Sequence, residues 1–143
     1  MENAFRYYLL LSVHIDGASR GNPGYSAIGI LIKDDGGKTI TEYGEYVGIK
    51  TNNQAEYLAL KKALEICSSM TKEINILSDS ELLINQRNQK YRIRNQELKN
   101  LSREIAILEK NYVTITYKHI PRSMNSRADF IANRALDRHL ERV

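Results

Sequence analysis

The chain has 143 residues, 42% of them hydrophobic, with 21 Lys and Arg against 17 Asp and Glu for a formal net charge of +4. That length and apolar content suit one compact domain over residues 1–143, with a core that needs neither disulfides nor a structural metal. The basic excess excludes an acidic solvating chain and favours a polyanionic partner.

Phe5 to Asp16 is rich in Tyr, Leu, Val and Ile and ends in alternation, with Leu11, Val13 and Ile15 against Ser12, His14 and Asp16. This pattern predicts a strand with Asp16 at its end. Its longest apolar stretch, Tyr7 to Leu11, falls far short of the ~20 residues of a membrane span. It also lacks the charged start and cleavage site of a signal peptide, so a cytoplasmic protein with no membrane partner is expected. Tyr25 to Lys33 and Lys38 to Gly48 predict two further strands, joined by a turn at Asp34-Asp-Gly-Gly37. The three strands should form an antiparallel meander.

From Asn52 the period becomes helical, with Ala55, Ala59, Ala63 and Ile66 on one face and Asn52 or Asn53 as the expected cap. Cys67 takes a packing position in this helix, and a single cysteine permits no internal disulfide and no cysteine-based zinc site. A short strand, Ile74 to Ser78, precedes Asp79-Ser80. Helices are predicted over Glu81 to Asn88 and Gln96 to Glu109, a strand over Val113 to Tyr117, and a last amphipathic helix over Ala128 to Leu140. The sum is an α/β fold, a mixed five-stranded sheet in the order β-β-β-α-β-α-α-β-α flanked by helices.

Four acids sit where packing alone does not place them. Asp16 and Asp79 end strands, Glu56 lies in the first turn of the first long helix, and Asp129 opens the last helix. Ligands of α/β folds bind at such edges. Taken singly, Asp79, Asp129 and Glu56 also fit as helix caps or dipole partners. If all four converge, their mutual repulsion calls for divalent cations, and a pair of these is the clamp used in phosphodiester cleavage.

Four motifs, in order and each on its predicted element, resemble the type 1 ribonuclease H family over almost the whole chain. They are Asp16-Gly-Ala-Ser-Arg-Gly-Asn-Pro-Gly24, Thr51-Asn-Asn-Gln-Ala-Glu-Tyr57, Ser78-Asp-Ser80 and Asn125-Ser-Arg-Ala-Asp129. The resemblance implies an endoribonuclease that cuts the RNA strand of RNA/DNA hybrids with two Mg²⁺ or Mn²⁺ ions, leaving 5′-phosphate and 3′-hydroxyl ends. Asp16 then bridges both metals, Glu56 and Asp79 complete one shell, and Asp129 completes the other. Asn22, Thr51, Asn52, Asn53 and Ser80 stand at the family's substrate-binding positions. Their amides and hydroxyls suit 2′-hydroxyl and phosphate contacts, although turn and cap chemistry explains the same residues. Duplex RNA is a further substrate left open, and the family resemblance implies a monomer.

Two departures stand out. Where many members carry a histidine in the loop before the last acid, this loop reads His119-Ile-Pro-Arg-Ser-Met-Asn125. Arg122, nearer that position than His119, is the expected contributor to turnover. The basic, Trp-containing protrusion of longer members is replaced by Asn88 to Asn95, where Lys90, Arg92 and Arg94 alternate with Tyr91 and Ile93, so salt-sensitive, modest substrate affinity is expected. Two other readings remain: a catalytically idle nucleic-acid-binding member of the fold, disfavoured by retention of four repelling carboxylates, and another nuclease on the scaffold, disfavoured by the Asn-rich Thr51 to Asn53.

Overall fold

A computed structural model describes residues 7–142. The five strands are β1 (Leu11–Gly21), β2 (Gly24–Asp34), β3 (Thr39–Lys50), β4 (Glu73–Ser78) and β5 (Thr114–His119). The helices are α1 (Asn52–Cys67), α2 (Glu81–Arg87), α3 (Gln96–Glu109) and α4 (Ser126–Glu141), with a single 3₁₀ turn at Arg122–Met124. The sheet order is β3-β2-β1-β4-β5. β1 to β3 pair antiparallel, whereas β4 pairs parallel to both β1 and β5. The expected mixed five-stranded architecture and element order are therefore present. Among the described residues no helix is long and apolar enough to cross a membrane.

Pairing register assigns the faces. Leu11, Val13 and Ile15 lie opposite Asp34, Ile32 and Ile30, and their side of the sheet packs on α1. The alternate residues His14 and Asp16 lie opposite Leu31 and Gly29, on the side covered by α4. Alternation on a pleated strand thus places α1 and α4 on opposite faces. The buried core unites Leu60, Leu64 and Cys67 of α1 and Ile74 and Ile76 of β4 with the apolar face of β1 and β2 and with Ile105 of α3. Cys67 is buried, and the low-polarity surroundings push its thiol up to about 12, so it packs as a small hydrophobe.

Most element ends shift by one or two residues from those expected, and three differences bear on the site. The predicted first strand begins at Phe5, which lies outside the described residues; regular pairing starts at Leu11. Asp16 does not end β1 but sits at its middle, because Gly17 to Gly21 continue the ladder with Ile28 to Gly24. Those small and polar residues carry no apolar alternation, so only the partner strand shows that the strand runs on. The helix cap of α1 is Thr51 rather than Asn52 or Asn53. Its hydroxyl accepts from the Gln54 N–H at 3.1 Å while Gln54 Oε1 accepts from the Thr51 N–H at 2.8 Å, a reciprocal capping box.

Gly29 sets how closely α4 approaches the sheet. A Cβ on Gly29 would lie 2.1 Å from the Ala128 carbonyl oxygen and 2.7 Å from the Ala132 nitrogen, so α4 touches the sheet backbone there. Gly29→Ala must push α4, with Asp129, away from β1. The expected loss is on the order of 1–3 kcal/mol of stability, read as a lower melting temperature, whereas Gly36→Ala in the open β2–β3 turn should melt like the parent.

Candidate active site

β1 is paired with β4 only from Leu11 to His14, where His14 stands opposite Leu77. Continuing that parallel register by two residues sets Asp16 beside Asp79, just past the end of β4. Beyond that point the β1 edge has lost its strand neighbour. The Ile15 carbonyl instead accepts from Asn125 Nδ2 at 2.9 Å, and the Gly17 N–H donates to Glu56 Oε1. Side chains close the ladder that β4 leaves unfinished.

Glu56 comes from the opposite face, on the first turns of α1. It reaches β1 because Gly17 has no side chain: a Cβ there would stand 2.5 Å from the Ala55 carbonyl carbon and 2.6 Å from the Glu56 nitrogen. Asp79 is not the cap of α2. Ser80 is, its hydroxyl accepting from the Leu83 N–H at 3.2 Å. The carboxylate of Asp79 is held instead by Asn125 Nδ2, 3.2 Å from Oδ2. Asp16, Glu56 and Asp79 each present an oxygen within 4.8 Å of the others. Asp129, in the first turn of α4, lines the same cleft but stands outside that tight trio, and its Oδ1 accepts from Asn133 Nδ2 at 3.1 Å.

The cleft encloses about 400 Å³ and is lined by the four acids together with Ser19, Asn52, Asn53, Ser80, Arg122 and Asn133. No Lys or Arg forms an ion pair with any of the four acids among the described residues. Burial raises the Asp16 carboxyl far above the ordinary carboxylate range, and repulsion from Glu56, Asp79 and Asp129 adds to it. Glu56 is also raised, chiefly by burial, while its bonds to Asp16 and the Gly17 N–H and the charge of Arg122 pull the other way. Both shifts run in the same direction, so burial and repulsion favour protonation of the pair over full ionisation. An all-oxygen, electron-rich trio with no basic partner fits hard divalent cations and not a soft metal.

The remaining sequence-predicted residues divide. Asn52, Asn53, Ser80 and Arg122 line the cleft. Asn22 and Thr51 do not line it: Asn22 Oδ1 accepts from the Asn52 N–H at 3.0 Å, tying the β1–β2 turn to the start of α1, and Thr51 serves as the cap. His119 is exposed at the end of β5 and lies outside the lining, whereas Arg122 stands within electrostatic reach of Glu56. Asn125 received no role from the sequence, yet it is only 1% exposed and bonds both β1 and Asp79. Its place four residues before Asp129 was the available signal.

The reverse transcriptase-like family model matches residues 14–135. Among curated proteins, ribonuclease HI of Halobacterium salinarum is 39% identical over 126 residues, covering 87% of this chain and 63% of that protein. A bifunctional protein of Mycobacterium tuberculosis is 32% identical over 127 residues, covering 87% of this chain and 35% of its own length. The chain therefore spans less than two thirds of these curated relatives. Among solved structures, the Halobacterium salinarum ribonuclease H1 superposes with a TM-score of 0.87 at 36% identity, covering 90% of this chain and 98% of that one. LC11 ribonuclease H1, solved in complex with an RNA/DNA hybrid, gives 0.87 at 37% identity over 91% and 99% of the two chains.

Removing the Asn125 amide strands the Ile15 carbonyl and frees Asp79. Asn125→Ala should therefore cost on the order of 1–3 kcal/mol in chemical denaturation. Asn125→Asp should be at least as harmful, since it adds a negative charge beside Asp79; a variant as stable as the parent would contradict the double clamp.

Proposed function

The chain belongs to the ribonuclease H family, and from that membership and the carboxylate cleft we propose that it is an endoribonuclease hydrolysing the RNA strand of RNA/DNA hybrids. The observation that carries the reading is the convergence of Asp16, Glu56 and Asp79 within 4.8 Å, unpaired with any base, in a cleft that also presents Asn52, Asn53 and Arg122. Mg²⁺ or Mn²⁺, two per site, is the cofactor that this donor set suits, held by those three acids with Asp129 at the rim. When bound, such cations acidify the attacking water and take up charge on the leaving 3′ oxygen.

The chain's own residues prepare that chemistry. The Gly17 N–H fixes one Glu56 oxygen, and Asn125 fixes one Asp79 oxygen, so two of the three converging carboxylates are oriented before any ligand arrives. Asn52 and Asn53 are exposed at the start of α1. Their amides both donate and accept, which suits a 2′-hydroxyl read through the wide minor groove of a hybrid. Asn22 and Thr51 support this reading by holding that helix start in place. Ser80 lines the same cleft, its hydroxyl also capping α2. Arg122 brings a planar guanidinium to the rim, where it can hold a phosphate by two parallel hydrogen bonds. A monomer, as the family resemblance implies, and a cytoplasmic setting, in keeping with a buried thiol that takes part in no disulfide, belong to the same proposal.

End-labelled RNA/DNA, RNA/RNA and DNA/DNA duplexes incubated with Mg²⁺, Mn²⁺ or EDTA test the reading. The hybrid should be cut only with metal, leaving 5′-phosphates, and the DNA duplex should survive. Equal hydrolysis of DNA/DNA would move the protein to the general-nuclease class, and folded protein inert on every duplex would favour a binding role. Within the loop, Arg122→Ala should lower hybrid turnover about 10–100-fold, equivalent to ~1.4–2.7 kcal/mol. His119→Ala should do less, and the reverse order would return the role to the histidine.

A further inference from the structure

Helix α4 presents two polar faces. Asp129 and Asn133 look into the cleft, while Arg127, Arg134, Arg138 and Arg142 line a separate groove of about 420 Å³ between α4 and the edge strand β3. The acids of that groove are already engaged. Glu42 takes both hydrogen bonds of Arg127, at 2.6 and 2.8 Å. Glu45 accepts from the Tyr43 hydroxyl at 2.8 Å and lies 3.7 Å from Lys62. Arg134, Arg138 and Arg142 form no ion pair among the described residues and are exposed. They follow one another at four-residue steps, about 6 Å along a helix, a spacing comparable with the step between neighbouring phosphates of a strand.

Aromatic rings accompany the charges. Tyr46 of β3 stacks on His139 with centroids 3.5 Å apart, and Tyr25 stands 6.5 Å from Tyr46. Phe130 is 48% exposed in the same groove, with Arg127 over its ring at 4.9 Å. A carboxylate-rich peptide would use the arginines and leave the rings idle. A duplex keeps its base faces stacked on one another. A cationic groove with exposed ring surface matches the requirements of a single strand, whose phosphates track the charges and whose bases can stack.

We propose that the β3–α4 groove is a second nucleic-acid site, which takes single-stranded nucleic acid by its phosphates on Arg134, Arg138 and Arg142 and stacks a base against Phe130. It stands apart from the hydrolytic reading, because none of these residues touches the carboxylate cleft.

The test is fluorescence anisotropy with a labelled oligothymidylate in EDTA, a probe without 2′-hydroxyls and under conditions without metal. Arg134→Gln/Arg138→Gln should bind it about tenfold more weakly at low salt and reduce the salt slope by about 1.4, the share of two single-strand phosphate contacts. The same variant should cleave a short blunt hybrid at the parent rate. Phe130→Ala should weaken binding with the salt slope unchanged, and Asn52→Ala/Asn53→Ala should bind the probe like the parent. Unaltered binding by the double arginine variant would overturn the site. Displacement of the probe by polyglutamate as efficiently as by unlabelled oligothymidylate would overturn it in favour of an acidic protein partner.

Discussion

The site depends on one mismatch of strand lengths. β1 runs to Gly21, whereas its parallel neighbour β4 stops at Ser78 and pairs no further than His14. From Ile15 onward the β1 backbone has orphan groups that water or side chains must satisfy. Asn125 and Glu56 do so. Both are thereby drawn to Asp16 and Asp79, which the same register sets side by side. Backbone satisfaction and site assembly are one event, so the packing of α1 and α4 on opposite faces directly determines whether three carboxylates meet.

That meeting works against the fold until cations arrive. Burial and mutual repulsion raise Asp16 and Glu56 together, and the nearest help is a single exposed guanidinium, Arg122. Binding a proton relieves that charge, and both carboxyls are shifted toward doing so. Divalent cations would replace that proton, which links the site's chemistry to the protein's stability. Natural folds commonly store such conflicts where function requires them.

Much of this was legible in the sequence because it rests on local signals. Period changes marked the order of strands and helices, and acids beside apolar strands or at helix starts marked the cluster. What was not legible depends on register. The extension of β1 past Asp16 is visible only against β2, since Gly17, Ala18 and Ser19 carry no strand signature of their own. The closeness that lets Glu56 reach the Gly17 N–H follows from an absent side chain. Asn125 reads as an ordinary turn residue until the fold sets it between β1 and Asp79. Thr51 outcompetes its two Asn neighbours as a cap because Gln54 returns the bond, a pairing that separates the bracing residues Asn22 and Thr51 from Asn52 and Asn53 in the cleft.

Repulsion among the buried carboxylates is tested most directly by thermal melting of the metal-free protein and of Asp16→Asn across about pH 4–8, with and without Mg²⁺. Asp16 holds its proton more tightly in the folded chain than in the unfolded one. Its contribution to stability is therefore full at low pH and is lost as the pH rises from the ordinary carboxylate value toward the raised one. The parent should fall progressively below Asp16→Asn as pH rises, and Mg²⁺ should restore the parent far more than the variant. Parallel pH profiles for the two proteins, or an equal response of both to Mg²⁺, would contradict such repulsion.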